Sequence, residues 1–337
     1  MLNTIWFLLI AVLVTVYAIL DGFDLGVGNL HLLARNEEER QIFIKAVGPH
    51  WDGNEVWLLT GGGAIFAAFP PVYATVFSGF YLAMMLVLVA LILRAVGVEF
   101  RNKVESASLK ALCDKSFFAG SLLASILFGV AVGNLMRGIP IDQSGTFTGT
   151  FLGLLNPFSV FMGMLSLVMF TLQGASYLAL RTEGALQSRA AKWAIRLWVA
   201  FVGTYMAGAF WTYFEAPYLY RAYKAAPWHW ITILIFMGAV IATPLLLQRG
   251  RYGWSFLCTS LSIAGLTSIL AVSAYPLLAP SSTDLSFSLT AFNASSTPLT
   301  LKTMLILALI GVPIVLVYTV YIYSVFKGKI DGKTTAY

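Results

Sequence analysis

Asp52 and Glu55 stand three residues apart at the head of the stretch Gly48–Pro70, GPHWDGNEVWLLTGGGAIFAAFP. Pro49 suits a first helical position, where its missing N–H costs nothing. Fifteen uncharged residues follow Glu55, carrying Trp57 and the triplet Gly61-Gly62-Gly63. From Pro49 to Pro70 the stretch can cross a hydrocarbon core of ~30 Å at ~1.5 Å per residue. Ionisable groups at the mouth of a membrane helix are costly and mark proton or ion routes. The chemistry open to these carboxylates is therefore proton or cation transfer. A second pair, Asp21 and Asp24, lies in DGFDLGVG and shares one helix face. Arg94 and Glu99 close a third apolar stretch.

Other chemistries find little support. No nucleophile stands beside a base. No Lys-Ser/Thr follows Gly61–Gly63, so the triplet is not a phosphate loop and reads instead as a surface for close helix packing. Cys113 and Cys258 are far apart, outside any zinc or disulfide spacing. His31, His50 and His229 fall at span ends. A haem or metal site needs ligands from facing helices, so they read as satisfied interfacial residues.

These groups must be held by membrane helices. Of 337 residues, 59% are hydrophobic and 11% charged, and the mean hydropathy is +0.81. That composition excludes an ordinary soluble domain. The net charge of +6 forms no basic patch interleaved with aromatics, so no nucleic-acid partner is expected. The N-terminal apolar run lacks a basic flank and reads as a retained span. Hydropathy and Pro, Gly and charge punctuation predict a single transmembrane domain over 1–337. It has nine spans, at about 5–33, 49–69, 71–98, 115–136, 158–180, 194–215, 228–248, 253–279 and 302–326. The segments at about 137–157 and 280–301 read as ordinary loops. With nine spans, sixteen of the 21 Lys and Arg fall on one side, Lys333 among them, and four on the other; Arg94 lies inside span three. The positive-inside rule then puts the N-terminus outside and the C-terminus in the cytoplasm.

This topology brings Asp21, Asp24, Asp52, Glu55, Arg94 and Glu99 into one leaflet. For Asp21 and Asp24, an ion pair with Arg94 is the better account. Gly22 and Gly26 form a small-xxx-small pair that admits a neighbouring helix closely. For Asp52 the functional reading is stronger: the helix macrodipole favours its charged form and burial its neutral one. Glu55 and Glu99 lie nearer water, where a solvated face explains each. Trp57 reads as packing or as the wall of a cavity.

The run DGFDLGVG at Asp21–Gly28, the stretch Gly48–Pro70 and FSGFYLAMMLVL at Phe77–Leu88 together resemble subunit II of the cytochrome bd-type quinol oxidases. The resemblance extends over nearly the whole chain, with its specific motifs in the first hundred residues. It implies an all-α polytopic fold of two four-helix bundles plus one peripheral helix. It also implies a haem-bearing partner, subunit I, holding haems b and d and oxidising quinol, so that this chain binds no haem itself. The complex would reduce dioxygen to water with protons from the cytoplasm, in a bacterial or archaeal plasma membrane. Some members hold a structural quinone in subunit II, and small single-span accessory subunits are a further partner class. By resemblance, Asp52 and Glu99 match acids of the proton path, and Trp57 matches a tryptophan at the subunit boundary associated with oxygen access. Asp21, Asp24, Glu55 and Arg94 form a supporting polar cluster. Ala95 follows Arg94 where proline is common, so the local bend before Glu99 is expected to differ. A stand-alone cation-coupled transporter is the rival reading. It is disfavoured by the lack of an inverted repeat and by acids gathered near one surface. A purely structural assembly subunit, with the acids as ion pairs, is the third.

Overall fold

The computed structural model describes residues 1–330; Lys333, counted above on the basic side, lies outside them. Thirteen α-helices dominate: α1 (Leu2–Leu30), α2 (Glu37–Val47), α3 (Trp51–Ala68), α4 (Pro70–Gly79), α5 (Tyr81–Phe100), α6 (Ala107–Arg137), α7 (Phe151–Leu154), α8 (Pro157–Arg181), α9 (Gly184–Glu215), α10 (Arg221–Ala225), α11 (Trp230–Gln248), α12 (Tyr252–Ala274) and α13 (Pro298–Val325). Local chemistry sets several of their starts. Asn36 caps α2 by accepting from Glu39 N–H, and Asn156 caps α8 by accepting from Ser159 N–H, with Pro157 at the first helical position.

Among the described residues, eight helical segments are long and apolar enough to cross a membrane by length and composition. The expected ninth, at 49–69, is present as α3, but its first five residues, WDGNE, are too polar for it to qualify. Other boundaries shift for physical reasons. The expected spans 115–136 and 194–215 begin earlier, at Ala107 and Gly184, because hydropathy sees only the apolar part of a helix. The expected span 253–279 stops at Ala274, and Leu277–Ala279 becomes strand β1. The expected span 71–98 breaks at Phe80 into α4 and α5. Phe147 wedges there: a Cβ on Gly79 would lie 2.5 Å from the Phe147 ring. After Ala95, α5 continues unbroken to Phe100.

Helices α1, α3, α4–α5 and α6 pack as one bundle and α8, α9, α11 and α12 as another, while α13 runs along α1 and α3. The bundles meet where α8 lies against α1 and α6. At that crossing a Cβ on Gly26 would sit 1.9 Å from Phe170 O and 2.7 Å from Gly174 N, so the two backbones touch. The partner of the Gly22/Gly26 stripe is therefore α8. Gly61–Gly63 behaves differently from its expectation: added Cβ atoms would meet nothing closer than 4.0 Å. Among the described residues the triplet makes no close backbone contact: Gly61 is buried beside Leu13 of α1, and Gly63 is exposed.

The two segments expected as ordinary loops fold onto each other. Ile139 N–H donates to Pro280 O and Ser282 N–H to Ile139 O, both at 2.9 Å. Beside this contact β1 pairs antiparallel with β2 (Leu289–Thr290), and Ile139, Ile141, Ala279 and Ala291 are buried there.

Candidate functional site

Arg94 is the centre of the polar site, held near the basic end of α5. Gly120 of α6 fixes it in place, since a Cβ there would lie 2.6 Å from Arg94 N and 2.3 Å from Ala90 O. With backbone pressed on backbone, α5 cannot rotate, and the guanidinium is aimed at α1 and α3. Its Nη1 donates to Asp21 Oδ1 at 2.5 Å, and its Nη2 donates to Glu55. Arg94 is 1% and Asp21 0% exposed, with the Glu55 side chain at 25%. Glu55 is thus an ion-pair partner rather than a solvated residue. The fork of a guanidinium can serve two carboxylates at once, which an ammonium cannot match in geometry.

Asp24, the other acid expected to pair with Arg94, takes a different partner. Its Oδ2 accepts from Asn54 Nδ2 at 2.7 Å, and Tyr323 Oη donates to Asn54 Oδ1 at 2.9 Å. The Tyr323 ring in turn stacks on His50, with centroids 4.3 Å apart. A polar chain therefore links α1, α3 and the outlying helix α13. Among the described residues nothing hydrogen-bonds the buried Asp24 Oδ1, Asp21 Oδ2 or Tyr17 Oη, so this interior has unused polar capacity.

Glu99 lies one turn beyond the cluster, where its Oε1 accepts from Trp51 Nε1 at 3.2 Å and its Oε2 meets Lys103 Nζ at 3.1 Å. Asp52 faces away from the cluster. It is exposed, accepts from the adjacent Gly53 N–H at 2.7 Å, and heads a stripe running through Val56, Leu59, Gly63 and Phe66, all exposed. That stripe repeats at helical spacing and is apolar below Asp52. Trp57 points the opposite way, 4% exposed and packed in a cluster with Trp6, Phe7, Leu13 and Tyr17.

A second buried cluster escaped the sequence reading. His31 Nε2 and Arg101 Nε both reach Asp114 Oδ1, at 2.6 and 2.5 Å, and Arg101 Nη2 donates to Glu37 Oε2 at 2.8 Å. Asp114 lies just before the span expected at 115–136, because hydropathy sees only the apolar part of α6. Carrying the helix back to Ser106, with Asp114 three residues before the buried Phe117, is the signal that would have found it. Glu39 on the same helix as Glu37 accepts from Arg189 Nη2 at 2.5 Å and from Arg35 N–H at 2.7 Å. Helix α2 consequently ties Arg101 of the first bundle to Arg189 of the second. Arg101's hydrogen bond holds the Glu37 carboxyl below the usual glutamate range. Burial pushes Glu39 up, but the hydrogen bonds from Arg189 and Arg35 outweigh it and leave Glu39 lowered as well.

Among the described residues no group of three or more His, Cys, Asp or Glu could hold a metal ion. His31 Nε2 lies 2.6 Å from Asp114 Oδ1, the His50 ring stacks on Tyr323, and His229 Nδ1 lies 2.8 Å from Ala222 O.

The sequence profile described as "Cytochrome bd terminal oxidase subunit II" matches residues 2–326. The chain is 37% identical over 360 residues to the cytochrome bd-I ubiquinol oxidase subunit 2 of Escherichia coli strain K12, covering 98% of this chain and 95% of that one. It is 36% identical over 334 residues to the cytochrome bd ubiquinol oxidase subunit 2 of Bacillus subtilis strain 168, covering 98% of each. In fold it is similar to the bd oxidase from Geobacillus thermodenitrificans, with a TM-score of 0.80 at 17% identity over 96% of this chain and 98% of that one.

Proposed function

The chain belongs to the cytochrome bd terminal oxidase subunit II family and is an integral bacterial membrane protein of a respiratory oxidase; on that premise we propose that it is the haem-free half of a quinol:oxygen oxidoreductase and supplies part of its proton path. The partner, subunit I, would hold the haems and carry the electron transfer from quinol to dioxygen. This chain acts as one transmembrane unit with its N-terminus outside and its C-terminus in the cytoplasm, as the distribution of Lys and Arg favours.

The observation that carries the proton-path reading is the placement of Asp52. A carboxylate at the head of an exposed apolar stripe cannot face lipid cheaply. It is supported far better by a protein neighbour, and the stripe Val56–Leu59–Gly63–Phe66 offers a close-packing surface for one. Gly63 keeps that surface flat at its middle, with room for a neighbouring backbone. Asp52 then delivers protons across the seam to the partner, and Glu99, near the basic end, serves as the entry. The buried Arg94 centre acts in support: its ion pairs with Asp21 and Glu55 hold α1, α3 and α5 in register, which fixes where Asp52 points.

The test is Asp52→Asn in the assembled oxidase. The expected result is slower oxygen reduction and slower proton uptake with the haem spectrum intact. Turnover and proton uptake at wild-type rates would remove Asp52 from the path.

A further inference from the structure

The connection between α9 and α11 is a folded shelf with two distinct faces. Its inner face is fully engaged. Tyr218 Oη donates to Met136 O at 2.7 Å, Tyr220 Oη donates to Ala209 O at 2.8 Å, and Trp230 Nε1 donates to Tyr223 O at 3.1 Å. Leu219 and Tyr223 are buried under it. Its outer face carries Arg221 and Lys224, three residues apart on α10 and both exposed. Bulky aromatics flank the two cations: Phe214, 64% exposed, before them and Trp228, 70% exposed, after them.

Position and charge together narrow what meets this face. The shelf joins two membrane spans, Gly184–Glu215 and Pro227–Gln248, so it lies at the level of the lipid headgroups. An exposed Trp is at home there, with its apolar ring toward the acyl chains and its indole N–H toward water, and an exposed Phe adds apolar surface beside it. Two cations on a side otherwise poor in them are not explained by membrane topology. The nearest acid in sequence, Glu215, is already paired with Arg137 at 2.5 Å. Among the described residues no carboxylate pairs with Arg221 or Lys224, so the charge of the shelf is open to something outside the chain, and its aromatic flanks select an amphipathic partner.

We propose that the 216–230 shelf binds an anionic phospholipid, with Arg221 and Lys224 on its phosphate and Phe214 and Trp228 against its acyl chains. A guanidinium and an ammonium one helical turn apart can share one phosphodiester, the first as a fork and the second as a point charge. The hydrogen-bonded inner face makes the shelf rigid, so little ordering is lost on binding.

The experiment is made on the assembled oxidase, stripped of native lipid and titrated with phosphatidylglycerol or phosphatidylcholine in nanodiscs, with retained lipid counted by native mass spectrometry. The wild type is expected to retain phosphatidylglycerol selectively. The Arg221→Gln/Lys224→Gln variant is expected to bind it about thirtyfold more weakly, from roughly fivefold per cation near an anionic surface. Raising the salt weakens the wild type in the same direction, and Arg221→Lys/Lys224→Arg keeps the binding. Equal phosphatidylglycerol retention by wild type and double glutamine variant overturns the proposal, as does equal retention of the two lipids by the wild type. If the double glutamine variant does not assemble, Lys224→Gln alone must still show roughly the fivefold loss.

Discussion

Replacing Arg94 by Leu removes the one cation from an interior that holds Asp21, Asp24 and Glu55. Arg94 and Asp21 are almost completely buried, and the guanidinium contacts both Asp21 and Glu55. Deleting one partner of a buried ion pair costs about 3–5 kcal/mol, because the other charge is left uncompensated in low dielectric. At about 1.4 kcal/mol per decade that is roughly two to three and a half orders of magnitude in the equilibrium for correct assembly. The expected outcome is a steep fall in the yield of intact oxidase and in the thermal midpoint of what remains. Arg94→Lys keeps the charge but loses the fork, so it falls between wild type and Arg94→Leu. Removing the charges together is the stringent control. Arg94→Leu with Asp21→Leu and Glu55→Gln removes all three members of that ion-pair set, leaves Asp24 with Asn54, and recovers much of the loss. Wild-type yield and midpoint in Arg94→Leu alone would refute the reasoning, and so would a triple variant no better than the single one.

Three further outcomes follow from the packing and the charges. Gly26→Ala places a Cβ 1.9 Å from Phe170 O, where only backbone could yield, and is expected to abolish assembly; Gly203→Ala on α9 meets nothing within 4 Å and is expected to keep yield or raise stability by up to ~1 kcal/mol. Glu37 and Glu39 have folded-state values below the ordinary 4.5. The unfolded chain therefore binds more protons, and their stabilisation is present above about pH 4.5 and lost as pH falls through the lower folded values. Thermal midpoints between about pH 6 and pH 3.5 are expected to fall less steeply in Glu37→Gln/Glu39→Gln than in wild type, and parallel curves would count against the α2 bridge. Asn54→Leu strands the Asp24 carboxyl and Tyr323 hydroxyl at once, a loss of about 2 kcal/mol, and Tyr323→Phe costs about 1 kcal/mol; equal midpoints in all three proteins would contradict the chain through α13.

Much of this molecule is written into local sequence. The apolar runs determine where helices cross the membrane, because a buried backbone in hydrocarbon must satisfy its own hydrogen bonds. The run DGFDLGVG and the stretch Gly48–Pro70 placed the acids of the candidate site near one end of the bundle. Helical periodicity even settles that Asp52 and Trp57, five residues apart, lie on different faces of α3. It does not settle which face turns inward. That rotation depends on packing against α1, which buries Trp57 and leaves Asp52, Leu59 and Gly63 outward. The same holds for the glycines: the sequence offers both Gly22/Gly26 and Gly61–Gly63 as contact surfaces, and packing puts the close backbone contact at Gly26 against Gly174. Pairing was also decided at a distance. Arg94 has two aspartates in reach on one helix face, but Asn54 on α3 takes Asp24 and leaves the guanidinium to Asp21 and Glu55. Asp114, His31 and Arg101 lie on three separate segments and become a cluster only when α1, α5 and α6 meet. Sequence determines the elements and the angles within each; the rotation of a helix about its axis and the partner of a buried charge are sums over contacts between residues far apart in the chain, and only the tertiary structure carries those.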